Sequence, residues 1–93
     1  MPAATQDLSL VVASDIPAAE VLAAVVEGAG ELLEQGTLVD VYEGAGIPQG
    51  QRSLTFALRF RADDRTLTAA EATASKEAGV ALAAARFGAT IRE

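Results

Sequence analysis

The sequence predicts one small α+β domain, with a four-stranded antiparallel sheet and two helices on one face of it. Segments with strand and helix patterns follow one another in the order β-α-β-β-α-β, the order of the ferredoxin-like sandwich. Residues 53–61 alternate apolar and polar side chains without a break, as a sheet with one buried face requires. The chain has 93 residues, 51% of them hydrophobic, which fits a single core. We therefore expect residues 1–93 to form one domain.

The first strand and the first helix are predicted within residues 8–35. Residues 8–12 form a short β-rich run, and Pro17 fits the first turn of a helix, where its missing N–H costs nothing. Gly28 and Gly30 close or interrupt this helix, and residues 31–35 are predicted to add one more turn. The apolar residues of the helix recur at helical spacing: Val21, Leu22, Val25 and Val26.

The second half of the chain begins with strands at 38–42 and 53–61, joined by a loop with three glycines and a proline. After a predicted turn at Asp63 and Asp64, Thr68 and Glu71 have the spacing of a capping box. The second helix is predicted to run to about Arg86 and to stop at Gly88. Residues 89–92 form the last short strand.

The second helix has few large apolar residues. Val80, Leu82 and Phe87 are expected to supply most of its apolar contact, and Gly79 in its interior costs roughly 1 kcal/mol relative to alanine. We hypothesise that small residues let this helix lie close to the sheet, against Phe56 and Phe60. The competing interpretation is that the isolated domain is only marginally stable.

If both helices cover one face of the sheet, the other face is open, and the alternation of side chains decides which residues lie there. Six residues are expected to point to the core: Leu8, Leu10, Val12, Val39, Val41 and Ile91. The residues expected on the open face are Ser9, Val11, Leu38, Asp40, Tyr42, Ser53, Thr55, Ala57, Arg59, Thr90 and Arg92.

Such a face is suited to an unpaired nucleobase. Tyr42 offers a ring for stacking, which is worth about 1–3 kcal/mol per base. Asp40 and the hydroxyl groups can bond the edges of a base, and small residues let it approach the sheet. Each residue alone also has a structural interpretation: a tyrosine half-packed on a strand, a carboxylate paired with an arginine, and ordinary strand serines. Their convergence on one face favours the functional interpretation.

Composition excludes several other chemistries. The chain contains no cysteine and no histidine, which excludes a disulfide framework, a Cys/His zinc cluster and an imidazole base. The glycine-rich loop joins two strands and opens no helix, so it is not expected to cradle phosphate. A solvated turn is expected at Asp63 and Asp64 rather than a catalytic pair. No apolar run approaches the roughly 20 residues that span a bilayer, and a cytoplasmic protein with no membrane contact is expected.

The charge is unevenly distributed. The net charge is −6, which by itself argues against a nucleic-acid partner. Residues 1–43 hold eight acidic side chains and no basic one, whereas residues 44–93 hold seven basic and five acidic ones. Three arginines lie within ten residues of one another: Arg52, Arg59 and Arg61.

Several motifs resemble one known family. They are Asp40-Val-Tyr42-Glu-Gly44, Ile47-Pro-x-Gly50-x-x-Ser53-Leu, Arg65-Thr-Leu-Thr-x-x-Glu71 and Phe87-Gly-Ala-x-x-Arg92, with Pro2 and Asp7-Leu-x-Leu-Val-Val in the first strand. Together they resemble the C-terminal ferredoxin-like anticodon-binding domain of bacterial phenylalanyl-tRNA synthetase beta subunits. The resemblance covers nearly the whole chain and is far more specific than the fold alone.

The resemblance implies a non-catalytic module that holds the anticodon stem-loop of tRNA(Phe), within a heterotetrameric ligase of alpha and beta subunits. It implies no cofactor in this domain, because ATP and magnesium act in the alpha subunit. Matched motif by motif, Tyr42 stacks an anticodon base, Asp40 and Ser53 bond base edges, and Ser9 allows close approach. We add Arg52 and Arg59, at the margin of the face, to this predicted RNA-binding set.

Two departures from the family pattern stand out. Gln6 replaces the usual arginine before the aspartate of the first strand, which implies the loss of a phosphate or structural contact, and the second helix is poorer in large apolar residues. Met1 stands where the family continues from a preceding domain, so an excised fragment is expected. Two alternatives remain: a protein-interaction or assembly module that uses the open face, and a regulatory domain that binds a small metabolite.

Overall fold

A computed structural model describes residues 4–62 and 67–92. The order of elements is the predicted β-α-β-β-α-β, and the strands form one antiparallel sheet in the order β2-β3-β1-β4. The ferredoxin-like fold is therefore confirmed. The elements are β1 (Ala4–Ala13), α1 (Ala18–Ala29), a 3-10 turn (Gly30–Leu32), β2 (Leu33–Tyr42), β3 (Gln51–Phe60), α2 (Ala69–Phe87) and β4 (Thr90–Ile91).

The two central strands supply most of the core, because their alternating apolar side chains all point toward the helices. This confirms the predicted alternation in β1 and β3. In the register, Leu8 lies opposite Phe56 and Leu10 opposite Leu54. The buried residues of these strands are Leu8, Leu10, Val12, Leu54, Phe56, Leu58 and Phe60.

The first helix begins directly after Pro17 and continues through Gly28 to Ala29. Gly30 follows with φ 80°, in the left-handed region where an L side chain would be strained. Its N–H donates to the Val26 carbonyl as the last bond of the helix, and its positive φ turns the backbone out of the helical path. The extra helical turn predicted at 31–35 is wrong beyond Leu32, because Leu33 already pairs with Phe60 as the first residue of β2.

Strand β2 departs most from prediction, because its register with β3 shifts between Leu38 and Asp40. A bulge of this kind leaves one residue unpaired and reverses the alternation on either side of it. Leu38 lies opposite Phe56 and therefore belongs to the helix-covered side, although it was predicted on the open face. Val39 and Val41, predicted in the core, are 56% and 46% exposed. Strand β2 is an edge strand, and neither helix covers this end of it.

The second helix has the predicted capping box. The N–H of Glu71 donates to Oγ1 of Thr68, and the N–H of Thr68 donates to the Glu71 carboxylate. Val80, Leu82 and Phe87 are partly buried, and Val80 and Phe87 pack against the core. The fully buried residues of the helix are small ones: Ala72, Ser75, Gly79 and Ala83.

Small residues in α2 serve contact with α1 rather than with the sheet. A Cβ on Gly79 would lie 2.5 Å from the carbonyl oxygen of Val25, and one on Gly28 would lie 2.7 Å from that of Ala78. The hypothesis of close approach to Phe56 and Phe60 is therefore corrected: the helices approach each other. Ser75 strengthens this contact, because its hydroxyl donates to the free carbonyl of Ala29 at 2.9 Å.

The last strand is short. Ile91 lies opposite Leu10 but is 52% exposed, so its predicted core position is wrong. Arg92 extends the pairing by one bond, from its N–H to the carbonyl of Ser9 at 2.9 Å. The turn predicted at Asp63 and Asp64 lies outside the described residues.

Candidate nucleic-acid interface

Four residues predicted to bind RNA share the open face, near the turn that joins β2 to β3. Across the sheet, Tyr42 lies opposite Ser53, and Asp40 lies opposite Thr55. On the other side of β3, Ser9 lies opposite Thr55. The register thus brings Ser9, Asp40, Tyr42 and Ser53 together as two adjacent rows across the sheet. The bulge in β2 precedes this region, so Asp40 and Tyr42 keep the predicted side.

The ring of Tyr42 is held in place at its hydroxyl end. Its Oη donates to the carbonyl oxygen of Ala45 at 2.9 Å, in the loop that follows β2. Gly44 has φ 126°, a conformation that lets the loop turn back toward the ring. Tyr42 remains 36% exposed. The tyrosine is therefore outside the core but pre-oriented, which reduces the entropy cost of stacking a base on it.

Arg92 lies against this ring. Its Cζ is 4.8 Å from the centroid of the Tyr42 ring, within the range of a cation–π contact. Alternation predicted Arg92 on the open face but gave it no binding role. Because strands β3 and β1 separate the two residues in the sheet, no sequence pattern links them.

Ser53 is on the open face but is not exposed. It is 1% exposed, and its Oγ has no hydrogen-bond partner among the described residues. Tyr42 and Val11 flank it on the two neighbouring strands. A buried hydroxyl without a partner costs about 1–3 kcal/mol, so its presence at the centre of the face needs a reason outside packing.

The other polar groups of the face differ in how far they are already engaged. The hydroxyl groups of Ser9 and Thr55 share a hydrogen bond of 2.8 Å. Asp40 is exposed and has no ion pair with any described residue, so the arginine partner of the structural interpretation does not appear. Its carboxylate is free to accept from a base edge. Thr55, like Arg92, was placed on this face by alternation but was not selected as a site residue.

The two predicted arginines occupy different places. Arg59 lies on the open face, several residues from Tyr42 along the sheet, and its Nε is 3.5 Å from the carboxylate of Glu34. Arg61 approaches the same carboxylate at 3.1 Å, an ion pair without the alignment of a hydrogen bond. Arg52 lies opposite Val12, on the helix-covered side, and donates to the Ile16 carbonyl at 2.7 Å. The structure does not bring Arg52 to the predicted face.

Gln6 also faces the helices. It pairs with Leu58 in the register, and its side-chain amide donates to the hydroxyl of Thr73 in α2 at 3.4 Å. This side of the sheet is covered, so a residue at position 6 contacts α2 rather than a ligand on the open face. Gln6 in place of arginine was expected to remove either a phosphate contact or a structural contact, and this position corresponds to the structural contact.

The loop between β2 and β3 borders a shallow cavity of about 340 Å³. Glu43 lines it and accepts a hydrogen bond from the hydroxyl of Ser14 at 3.1 Å. A carboxylate in the wall repels phosphate, in agreement with the expectation that this loop does not cradle one. Within residues 4–62 and 67–92 no acidic cluster could hold a metal ion. No helix in the described part of the chain is long and apolar enough to cross a membrane.

Fold and site together define a class: a ferredoxin-like domain whose open sheet face presents a pre-oriented tyrosine, hydroxyl groups and a free carboxylate. Residues 1–92 match the family model of the ferredoxin-fold anticodon binding domain. The chain belongs to that family.

Three curated relatives show where such domains occur. The chain is 68% identical over 92 residues to the phenylalanine–tRNA ligase beta subunit of Leifsonia xyli. It is 57% identical to that of Streptomyces avermitilis and 56% identical to that of Mycobacterium leprae, each over 91 residues. These matches cover 98–99% of the chain but only 11% of each relative.

Proposed function

We propose that this chain binds the anticodon stem-loop of tRNA(Phe) through its open face, as the anticodon-binding domain of a phenylalanine–tRNA ligase beta subunit. The observation that carries this proposal is the adjacency of Ser9, Asp40, Tyr42 and Ser53 on that face. Family membership and the relatives' names support the same function. The acidic net charge is compatible with it, because a domain tethered in a large enzyme binds at high effective concentration.

Each residue has a role that its surroundings support. Tyr42 stacks an anticodon base, because its ring is exposed and held by the Ala45 carbonyl. Asp40 accepts from the donor edge of a base, since its carboxylate has no ion pair with a described residue. Ser53 offers a hydroxyl that makes no hydrogen bond within residues 4–62 and 67–92, and Ser9 is small enough for the base to approach the sheet.

The domain is non-catalytic in this proposal. It supports recognition of tRNA while ATP and magnesium act in the alpha subunit, and its partners are the tRNA, the rest of the beta subunit and the alpha subunit. The alpha and beta subunits form a cytoplasmic heterotetramer. Arg59 contacts the RNA backbone from the margin of the face, whereas Arg52 has no such position.

An NMR titration tests the RNA contact directly. The 93-residue chain is titrated with an anticodon stem-loop of tRNA(Phe) and, as a control, with a hairpin of the same stem and an unrelated loop. Chemical-shift changes are expected to cluster at Ser9, Asp40, Tyr42 and Ser53, with a Kd weaker than ~10 µM. Changes confined to the helices, or no change up to millimolar RNA, would contradict the proposal and favour a protein-docking role.

Substitution of Tyr42 tests the function in the parent ligase. Tyr42→Ala is expected to raise the KM for tRNA by about 5- to 150-fold, because one stacking contact of about 1–3 kcal/mol is lost. Amino-acid activation, measured by phenylalanine-dependent pyrophosphate exchange, is expected to stay unchanged. Tyr42→Phe is the matched control, since it keeps the ring. An equal loss in amino-acid activation would show that the effect is not on tRNA.

A further inference from the structure

We propose that Arg92 is a further RNA-binding residue, and that its guanidinium covers the base-stacking face of Tyr42 until RNA displaces it. This inference rests on the proposed function, and it assigns a role to a residue outside the predicted RNA-binding set. In the free domain, Arg92 and Tyr42 form a cover over Ser53. In the bound domain, a base takes the ring and the guanidinium turns to the phosphate beside that base.

The side chains of Tyr42 and Arg92 reach each other across the two inner strands of the sheet. Tyr42 ends one outer strand and Arg92 follows the other, with β3 and β1 between them. Neighbouring strands are about 4.8 Å apart, so the two backbones are separated by roughly 14 Å. A contact of 4.8 Å between guanidinium and ring therefore requires both side chains to lean over the inner strands. Arg92 lies in the row of Ser9, and Tyr42 lies in the row of Ser53, so the contact spans these two adjacent rows of the sheet.

Ser53, next to Tyr42 on the neighbouring strand, is buried. It lies on the face that the helices leave open, yet it is 1% exposed and its Oγ lacks a partner among the described residues. In the proposed arrangement, Ser53 is covered by Tyr42, its neighbour on β2, and by Arg92, which lies against the Tyr42 ring. A hydroxyl kept dry and unbonded gains a full hydrogen bond when a base edge reaches it, so opening the cover is coupled to base recognition.

When RNA binds, a base replaces the Arg92 guanidinium on the Tyr42 ring. A guanidinium centred 4.8 Å from the ring centroid leaves no room for a base between them, so a base stacks on that face only after Arg92 has moved. A cation–π contact at an exposed site is weaker than base–aromatic stacking, so a base can replace it. Arg92 keeps its charge in the exchange, because the phosphate next to the base is a bidentate acceptor for the released guanidinium.

A purely structural role for the contact makes a different prediction. Strand β4 has only two residues, and the Arg92–Tyr42 contact could serve to fix it to the sheet. In that case the contact persists when RNA binds, and removal of Arg92 lowers the melting temperature without changing the response of RNA binding to salt.

An NMR experiment on the 93-residue chain separates these outcomes. Tyr42 is the only tyrosine and there is no tryptophan, so tyrosine labelling reports on this one ring. The nuclear Overhauser effect between the ring and the Arg92 side chain is measured before and after addition of the tRNA(Phe) anticodon stem-loop. Its loss, together with a shift of the Tyr42 ring, is expected. If the ring shifts but the effect to Arg92 persists, the displacement is disproved and the proposed function stands. If RNA shifts nothing on the face, both fail.

Salt dependence tests the phosphate contact independently. Arg92→Gln is expected to weaken RNA binding several-fold and to make the plot of log K against log salt shallower by about 0.7, the value for one contact to a single strand. Arg86→Gln is the matched control, since it removes the same charge from α2, where Arg86 pairs with Glu27 at 2.6 Å. An unchanged slope for Arg92→Gln with a lower melting temperature would overturn the proposal.

Discussion

Ser53 and Ser9 are the same residue type on the same face, but their hydroxyl groups have opposite energetic status. The Oγ of Ser53 is buried and has no hydrogen-bond partner in the described part of the chain, whereas that of Ser9 shares a 2.8 Å hydrogen bond with Thr55. Leaving a buried polar group unpaired destabilises a protein, and a satisfied hydrogen bond contributes about 1 kcal/mol. The hydroxyl of Ser9 therefore stabilises the fold, whereas that of Ser53 makes no described hydrogen bond and is available to the proposed ligand.

Alanine at these two positions gives a paired prediction. Ser53→Ala is expected to leave the free energy of unfolding unchanged or to raise it by up to about 1 kcal/mol, because an unbonded hydroxyl is removed. Ser9→Ala is expected to lower it by about 1 kcal/mol. Denaturant titration of the two variants measures both effects. In the stem-loop titration Ser53→Ala is expected to bind more weakly despite its stability, and a destabilised Ser53→Ala would indicate an undetected structural partner.

Sequence reasoning placed the four candidate residues on one face but did not predict their surroundings. Alternation placed Tyr42, Asp40, Ser53 and Ser9 on one face because each lies in a segment with regular pairing through this region. The cover over Ser53 could not be predicted, since it depends on a contact between the two outer strands. Arg52 was grouped with the site on charge alone, although the alternation that exposes Arg59 turns Arg52 toward the helices.

At the scale of elements, the crossing of α1 and α2 depends on two glycines in contact with backbone. Gly79 lies against the carbonyl of Val25, and Gly28 lies against that of Ala78. A backbone carbonyl cannot move aside as a flexible side chain can. The glycines therefore set the distance between the two helices.

Gly79→Ala is expected to destabilise the domain even though alanine favours helix by about 1 kcal/mol. The added Cβ would lie 2.5 Å from the Val25 oxygen, and overpacking of this kind costs about 1–3 kcal/mol. Ala81→Gly, on the exposed side of the same helix, is the control and is expected to cost about 1 kcal/mol from propensity alone. Thermal unfolding of both variants measures the difference. A higher melting temperature for Gly79→Ala would refute the close contact.

Strand β2 shows why the elements were predicted better than their faces. Its existence followed from the alternation of residues 38–42, but the bulge between Leu38 and Asp40 leaves no mark in that pattern. The exposure of Val39 and Val41 follows from topology, because β2 ends the sheet and the helices do not cover its last residues. Val39 and Val41 could not be placed correctly without knowing which strand is at the edge.

At the scale of the whole molecule, charge limits how this domain can bind RNA. The net charge is −6, and on the open face the described cations near the site are Arg92 and Arg59. Arg59 is partly neutralised, because the carboxylate of Glu34 contacts both Arg59 and Arg61. In the proposed complex, binding therefore depends on base contacts more than on phosphate contacts, which favours selectivity over affinity.

Salt titration of the free domain tests this balance, and Glu34→Gln shifts it. With at most two phosphate contacts the slope of log K against log salt is expected to be no steeper than about −1.4, so affinity falls less than about tenfold between 50 and 200 mM salt.

Glu34→Gln releases Arg59 and Arg61, and is expected to tighten binding and steepen the slope by about 0.7 for each arginine that reaches a phosphate. Stability should change by less than about 1 kcal/mol, because exposed ion pairs contribute little. Glu31→Gln makes the same charge change in the neighbouring 3-10 turn, where no described residue forms an ion pair with Glu31. If both variants steepen the slope equally, net charge rather than the release of two arginines governs the affinity.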